Sequence, residues 1–157
     1  MMQKNRFRRR VLRKMVSSGL LFLMLALMSQ CAVNRYAKAE LYLNEKQYDR
    51  ALGEYMSIIK ANRHRGMKKN TRAYVGAAIS YHNLGEFKKC MNLCRKVLKV
   101  DPNNGAALYY LGNSLENLGM EQLAMSCYKR YPQVSKESPY HSFLKARMNI
   151  LIHKGQQ

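Results

Sequence analysis

The chain has 157 residues, 47% of them apolar, with 28 Lys+Arg against 9 Asp+Glu and a formal net charge of +19. That length allows one domain of ordinary size, and 4 cysteines in so helical a chain exclude a disulfide scaffold. The charge fits an anionic partner or surface, or simply a solvated outer face, and by itself does not choose among nucleic acid, lipid phosphates and an acidic protein.

Residues 1–30 read as an export signal. Met1 to Lys14 is basic, through Lys4, Arg6, Arg8, Arg9, Arg10, Arg13 and Lys14, with no acid. An unbroken apolar run from Gly19 to Met28 follows, and then small and polar residues, which is the layout of a signal for export. The run is short for a spanning helix, which takes roughly 20 apolar residues. Cys31, directly after Leu27-Met28-Ser29-Gln30, resembles the lipidated cysteine of a bacterial lipoprotein signal. Gln30 and Met28 depart from that pattern. Ordinary cleavage just after Cys31, or an uncleaved anchor from Met15 to Val33, therefore stands beside lipidation. Each outcome puts the later residues outside the bacterial cytoplasm. The expected location is the cell envelope, membrane-anchored and periplasm-facing, at the outer membrane before the inner.

Beyond the signal the apolar residues fall at helical spacing. Residues 32–62 form a first helix pair, with Tyr36, Ala39, Tyr42 and Leu43 on one stripe and Tyr48, Ala51, Leu52, Tyr55, Ile58 and Ile59 on the next. Residues 63–70 read as a basic connector, part of a charge run made of Lys60, Arg63, Arg65, Lys68, Lys69 and Arg72 without an acid. This run is either a solvated loop or an anion-binding patch. Residues 71–104 are a complete two-helix unit. Tyr74, Ala77, Ala78, Tyr81 and Leu84 mark its first helix, and Gly85 breaks it. Phe87, Cys90, Met91, Cys94, Val97 and Leu98 mark its second, which Asp101-Pro102 ends. Residues 105–132 are a third pair, with Leu108, Leu111, Gly112 and Leu115, then Leu123, Ala124, Cys127, Tyr128 and Tyr131. Ser138-Pro139 opens a last amphipathic helix over 138–154, with Tyr140, Phe143, Leu144, Met148 and Leu151 on its stripe. No pair can bury its stripe alone, so the units must stack, and the final helix covers the end of the stack.

The period and its anchors resemble the tetratricopeptide repeat. In the middle unit the matching residues are Tyr74, Ala77-Ala78, Tyr81, Cys90 with Cys94, and Pro102. In the third they are Leu108, Leu111-Gly112, Leu115, and Ala124 with Tyr128. In the first they are Ala39, Tyr42, and Ala51 with Tyr55. The resemblance implies an all-α fold: a right-handed α-solenoid of about three helix pairs plus a C-terminal capping helix. It also implies a concave groove lined by the first helices, which binds a peptide or protein partner. Groove residues would be Tyr36, Glu40, Leu43 and Asn44, then Val75, Ile79, His82 and Asn83, then Tyr109, Asn113, Glu116 and Asn117. Asn44, Asn83 and Asn117 recur at the end of each first helix. They are either a local helix-end preference or a ladder of amides for an extended peptide.

No constellation carries chemistry. His64, His82, His141 and His153 are scattered, no acidic pair is placed for hydrolysis, and no cofactor is called for. Cys90, Cys94 and Cys127 replace core residues and read as small buried hydrophobes, with a Cys94–Cys127 bridge as the alternative. The expectation is a membrane-tethered, non-enzymatic adaptor for a protein partner. An anionic polymer such as lipopolysaccharide or polysaccharide is the alternative partner, with nucleic acid ranked last.

Overall fold

The computed structural model describes residues 35–154, apart from the side chains of Arg65, Met67, Lys69 and Tyr131. The segment expected to be an export signal, Cys31 and the first residues of repeat 1 lie outside the described residues. The chain divides into two compact units, Met1–Arg35 and Tyr36–Gln157, and the helix pairs belong to the second.

Seven α-helices occupy the described residues: α1 (35–44), α2 (Tyr48–Ala61), α3 (Met67–Asn83), α4 (Phe87–Val100), α5 (Gly105–Asn117), α6 (Glu121–Tyr128) and α7 (Pro139–Lys154). They pair as α1/α2, α3/α4 and α5/α6, with no strand among the described residues. Each odd-numbered helix from α5 onward touches the odd-numbered helix before it and the even-numbered helix between them. So α5 packs on α3 and α4, and α7 packs on α5 and α6. The pairs therefore stack in sequence order, and the fold is an α-solenoid.

Three turns join the helices within pairs, and all three close alike. Gly85 and Gly119 take positive φ of 77° and 75°. The next amide then reaches back five residues, Glu86 N–H to Tyr81 O at 2.9 Å and Met120 N–H to Leu115 O at 2.8 Å. In the first pair Lys46 holds the same left-handed position, at φ 59°, and Gln47 N–H reaches Tyr42 O at 2.8 Å. The linkers between pairs lie at the opposite edge. There Asp101 accepts from Asn104 Nδ2 at 2.8 Å, and Asn104 Oδ1 caps α5 by accepting from Ala107 N–H at 3.0 Å.

The core is built where a ring meets a missing side chain. Tyr55 and Tyr128 are buried. A Cβ added to Gly76 would lie 2.3 Å from the Tyr55 ring, and one added to Gly112 would lie 2.4 Å from the Tyr128 ring. Ala51, Cys90 and Ala124, at equivalent places in the three second helices, are each 0% exposed.

Three expectations need correction. The connector does not run to residue 70: α3 begins at Met67, so Lys68 lies in its first turn and Arg72 further along the same helix. The second helix of the third pair stops at Tyr128 and does not reach Tyr131, and Leu123 is 52% exposed because it flanks the packed face rather than joining it. Phe143 likewise stands 51% exposed on α7, whose packed face is centred on Leu144 and Leu151.

The ring-on-glycine contact predicts opposite signs for two glycine substitutions. Gly112→Ala gains helix propensity of about 1 kcal/mol but drives a methyl into a buried ring, an overpacking cost that reaches about 3 kcal/mol in a well-packed core, for a net loss of up to about 2 kcal/mol. Gly53 sits in α2 with nothing within 4 Å of the added Cβ, so Gly53→Ala gains about 0.5–1 kcal/mol. Urea denaturation midpoints of the two variants against wild type measure both.

Candidate functional site

The helices α1, α3, α5 and α7 lie side by side, and a polar bridge crosses each of their joints. At the first, Arg72 Nε donates to Glu40 Oε1 at 2.8 Å and the guanidinium stands 5.3 Å over the Tyr36 ring. At the second, His82 Nδ1 lies 3.0 Å from Ser114 Oγ. At the third, Arg147 Nε donates to Glu116 Oε1 at 3.2 Å, and the Tyr128 hydroxyl donates to the same carboxylate. The bridging residues sit 32, 32 and 31 positions apart, close to one repeat.

Between α1 and α3 is a cleft of about 330 Å³ lined by Glu40, Leu43, Asn44, Tyr55, Arg72, Val75, Gly76 and Ile79. Five of these, Glu40, Leu43, Asn44, Val75 and Ile79, are groove residues expected from the sequence, whereas Tyr36, His82 and Asn83, expected beside them, do not line this cleft. Arg72, which the sequence assigned to the basic run, belongs instead to this cleft and is neutralised there by Glu40. Its signal was its place four residues before Gly76 on the same helix face. Two larger hollows, of about 460 and 390 Å³, are lined by turn and helix-start residues, 46–50 with Leu84 and 119–123, rather than by helix faces.

Further along, the surface becomes aromatic. Tyr109 lies 5.2 Å from Tyr110, 5.7 Å from Tyr140 and 5.7 Å from Phe143, centroid to centroid. Phe143, beside it, is 51% exposed, and so is Ile150 two turns further along α7. Sequence reasoning treated α7 as a cover and missed this extension. His82 is turned into the joint, edge-on to Phe87 at 5.4 Å and Tyr110 at 5.3 Å, rather than left open as floor. Asn83 Nδ2 donates to Ile79 O and Asn117 Nδ2 to Asn113 O, both at 2.8 Å. At these two positions the helix-end arrangement is the one formed. Asn113 and Glu116 are half-buried, and Asn44 is exposed.

Cys90, Cys94 and Cys127 are buried free thiols. The sulfurs of Cys90 and Cys94 stand 3.8 Å apart. The Cys94 thiol is held up first by its hydrogen bond with Cys90 and then by burial, and burial pushes Cys127 up. Among the described residues no group of three His, Cys, Asp or Glu side chains is placed to hold a metal, and no helix is long and apolar enough to cross a membrane.

This geometry, stacked antiparallel pairs with a small-residue contact and a glycine-type turn in each, defines an α-solenoid of tetratricopeptide helix pairs. Residues 71–104 match the tetratricopeptide repeat family, and so do residues 93–126, in a frame that starts within α4 and runs into α6. The solved Arabidopsis OM64 tetratricopeptide domain is similar, with a TM-score of 0.64 and 19% identity, over 75% of this chain and 93% of that one. The tetratricopeptide domain of P58(IPK) is similar with a TM-score of 0.67 and 16% identity. It shares 82% of this chain, which spans only 35% of that structure. At these identities the likeness is one of fold. No curated protein sequence matches the chain.

Two outcomes follow from the buried phenols and thiols. Tyr55 is pushed up to about 12, by burial first and the Glu40 carboxylate second, and burial raises Tyr110 and Tyr128 as well. The unfolded chain releases these protons near pH 10, whereas the folded chain keeps them. The contribution is therefore complete below about pH 10 and is lost as pH rises toward 12. Thermal midpoints should be flat at neutral pH and fall steeply in that alkaline window, less steeply in Tyr55→Phe. In a Cys31→Ser background an aromatic disulfide reagent should find no reactive thiol in the native chain and three after denaturation.

Proposed function

We propose that the chain is a non-enzymatic adaptor that holds a peptide or protein partner in the groove along α1, α3, α5 and α7, tethered to the cell-envelope membrane through its N-terminal leader. The observation that supports the groove most is the cleft between α1 and α3, with a second apolar surface where half-buried Tyr109 meets exposed Phe143. Its charged residues pair across the joints, Arg72 with Glu40 and Arg147 with Glu116. A partner of this groove therefore presents apolar and aromatic side chains, not a carboxylate terminus that would need free Lys or Arg. Envelope assembly, secretion or pilus-type biogenesis is the setting we assign, on the basic and apolar leader followed by Cys31. A second reading, a binder of anionic envelope polymer, rests on the +12 left when the leader's seven bases are set aside, 21 Lys+Arg against 9 acids.

Affinity purification of the full-length chain from crosslinked cells tests the groove. Tyr109→Ala should cut recovery of the partner at least about tenfold, the usual scale for an aromatic anchor worth roughly 2 kcal/mol. Undiminished recovery from a variant of native helicity would move the site off the groove. Mass spectrometry of the mature N-terminus tests the tether. An acylated Cys31 is expected, and an N-terminus at Ala32 or an unmodified Met1 would remove the lipoprotein reading.

A further inference from the structure

The positive charge of the repeat unit is concentrated on one of its two edges. The linker segments 60–68, 96–104 and 129–138 together carry nine Lys+Arg and two acids, a net +7. The turn segments 45–50, 84–89 and 118–122, on the opposite edge, carry four of each sign and a net of zero. The linker segments lie together because every pair ends and every next pair begins there. Arg130 accordingly reaches the Pro102 carbonyl, and a Cβ at Gly105 would lie 2.8 Å from Val134.

Ion pairing widens the contrast. Glu40, Glu54, Glu86, Glu116 and Glu121 are engaged in ion pairs, none of which involves a residue of the linker edge. The two acids on that edge are taken up locally, Asp101 by the Asn104 amide and Glu137 by the Ser135 hydroxyl. Among the described residues, Lys60, Arg63, Lys68, Lys96, Lys99 and Lys129 have no ion-pair partner. Helix dipoles account for Lys60, Lys99 and Lys129, which sit where helices end and cations are favoured. They do not account for Lys68. It lies in the first turn of α3, at the positive end of the dipole, with no acid in that turn and with Gly66 as a cap that offers no side chain. Cations left unpaired and partly at the wrong helix end call for an anion from outside.

We propose that the linker edge is a docking surface for anionic lipid headgroups, holding the stack against the membrane by that edge. This rests on the tether reading. The source of the anion is argued from the direction of the chain. Every odd-numbered helix begins at the linker edge, α1 among them. The chain thus enters the unit there, straight from a leader that carries the apolar run and seven further bases. A row of cations spread over three joints suits a sheet of headgroups. Each Lys or Arg close to such a surface strengthens binding roughly fivefold and acts only within about a Debye length.

The test uses the full-length chain on vesicles of phosphatidylcholine, alone or with one third phosphatidylglycerol, both containing a headgroup-quenching lipid. A fluorophore is placed at Asn103→Cys on the linker edge or at Gln122→Cys on the turn edge. In phosphatidylglycerol vesicles quenching should be severalfold stronger at 103 than at 122. The difference should vanish in about 0.5 M KCl and in the Lys60→Glu/Arg63→Glu/Lys68→Glu variant with unchanged helicity. Equal quenching at the two positions, in a chain that co-sediments with both vesicles, overturns the edge and leaves the tether standing. Failure to co-sediment with phosphatidylcholine removes the tether. Co-sedimentation with phosphatidylglycerol vesicles that the triple variant abolishes would then support the edge alone, and its absence would overturn it. Tighter capture of a single-stranded oligonucleotide than of these vesicles, lost in the same variant, would overturn the choice of lipid.

Discussion

A tyrosine ring seated against a position that has no Cβ fixes how closely successive helices approach. Tyr55 lies on Gly76 across the joint between the first and second repeats, and Tyr128 lies on Gly112 within the third. In the middle repeat Cys94 stands where its neighbours have tyrosine, and Tyr110 stands one repeat after Gly76. Large and small thus exchange sides at the second joint, where Cys94 and Tyr110 belong to one core cluster. An interior packed at crystal-like density accepts such an exchange when total volume is kept, and penalises either half of it alone. The same spacing brings the odd-numbered helices near enough for one polar bridge per joint. These bridges depend on the apolar contact and do not replace it, since exposed or half-exposed ion pairs contribute little by themselves.

That dependence separates the charges of the molecule. Bridging at the joints uses Glu40 and Glu116 against Arg72 and Arg147, so the groove is left nearly neutral and presents Leu43, Val75, Ile79, Tyr109 and Phe143. Lys89 with Glu86 and Lys154 with Glu121 balance the turn edge. A chain with three times as many bases as acids then has few acids left for its linkers. An apolar groove and a basic edge are two results of placing Glu40, Glu54, Glu116 and Glu121, four of nine acids, where they pair between helices.

Most of the fold was legible because burial in paired helices repeats every 3.6 residues. Ala39, Ala51, Ala77, Ala78, Cys90, Cys94, Leu108, Leu111, Ala124 and Tyr128 are buried as their spacing required. What was not legible has physical reasons. A period gives the centre of a face but not its width, so Leu123 and Phe143, each one residue and about 100° from a buried neighbour, were read as inside. The start of α3 was hidden because lysines in a first turn oppose the helix dipole and read as loop. Arg72 looked like one more member of a charge run, since sequence adjacency does not reveal a partner 32 positions earlier on another helix.

The groove was legible as a set of positions and illegible as a surface. The family resemblance named Val75, Ile79 and Tyr109, but only packing shows that His82 turns into a joint and that Asn83 and Asn117 close on their own helices. Each of these amides spends an N–H on a backbone carbonyl of its own helix, and its carbonyl oxygen stays open to a partner. Those oxygens can meet backbone N–H groups of an extended segment, while the neighbouring rings of Tyr109 and Phe143 offer apolar contact for side chains. Selectivity in such a groove follows from shape and apolar content and changes little with salt. The edge behind the linkers behaves in the opposite way, so one short stack can hold two contacts that respond to different conditions.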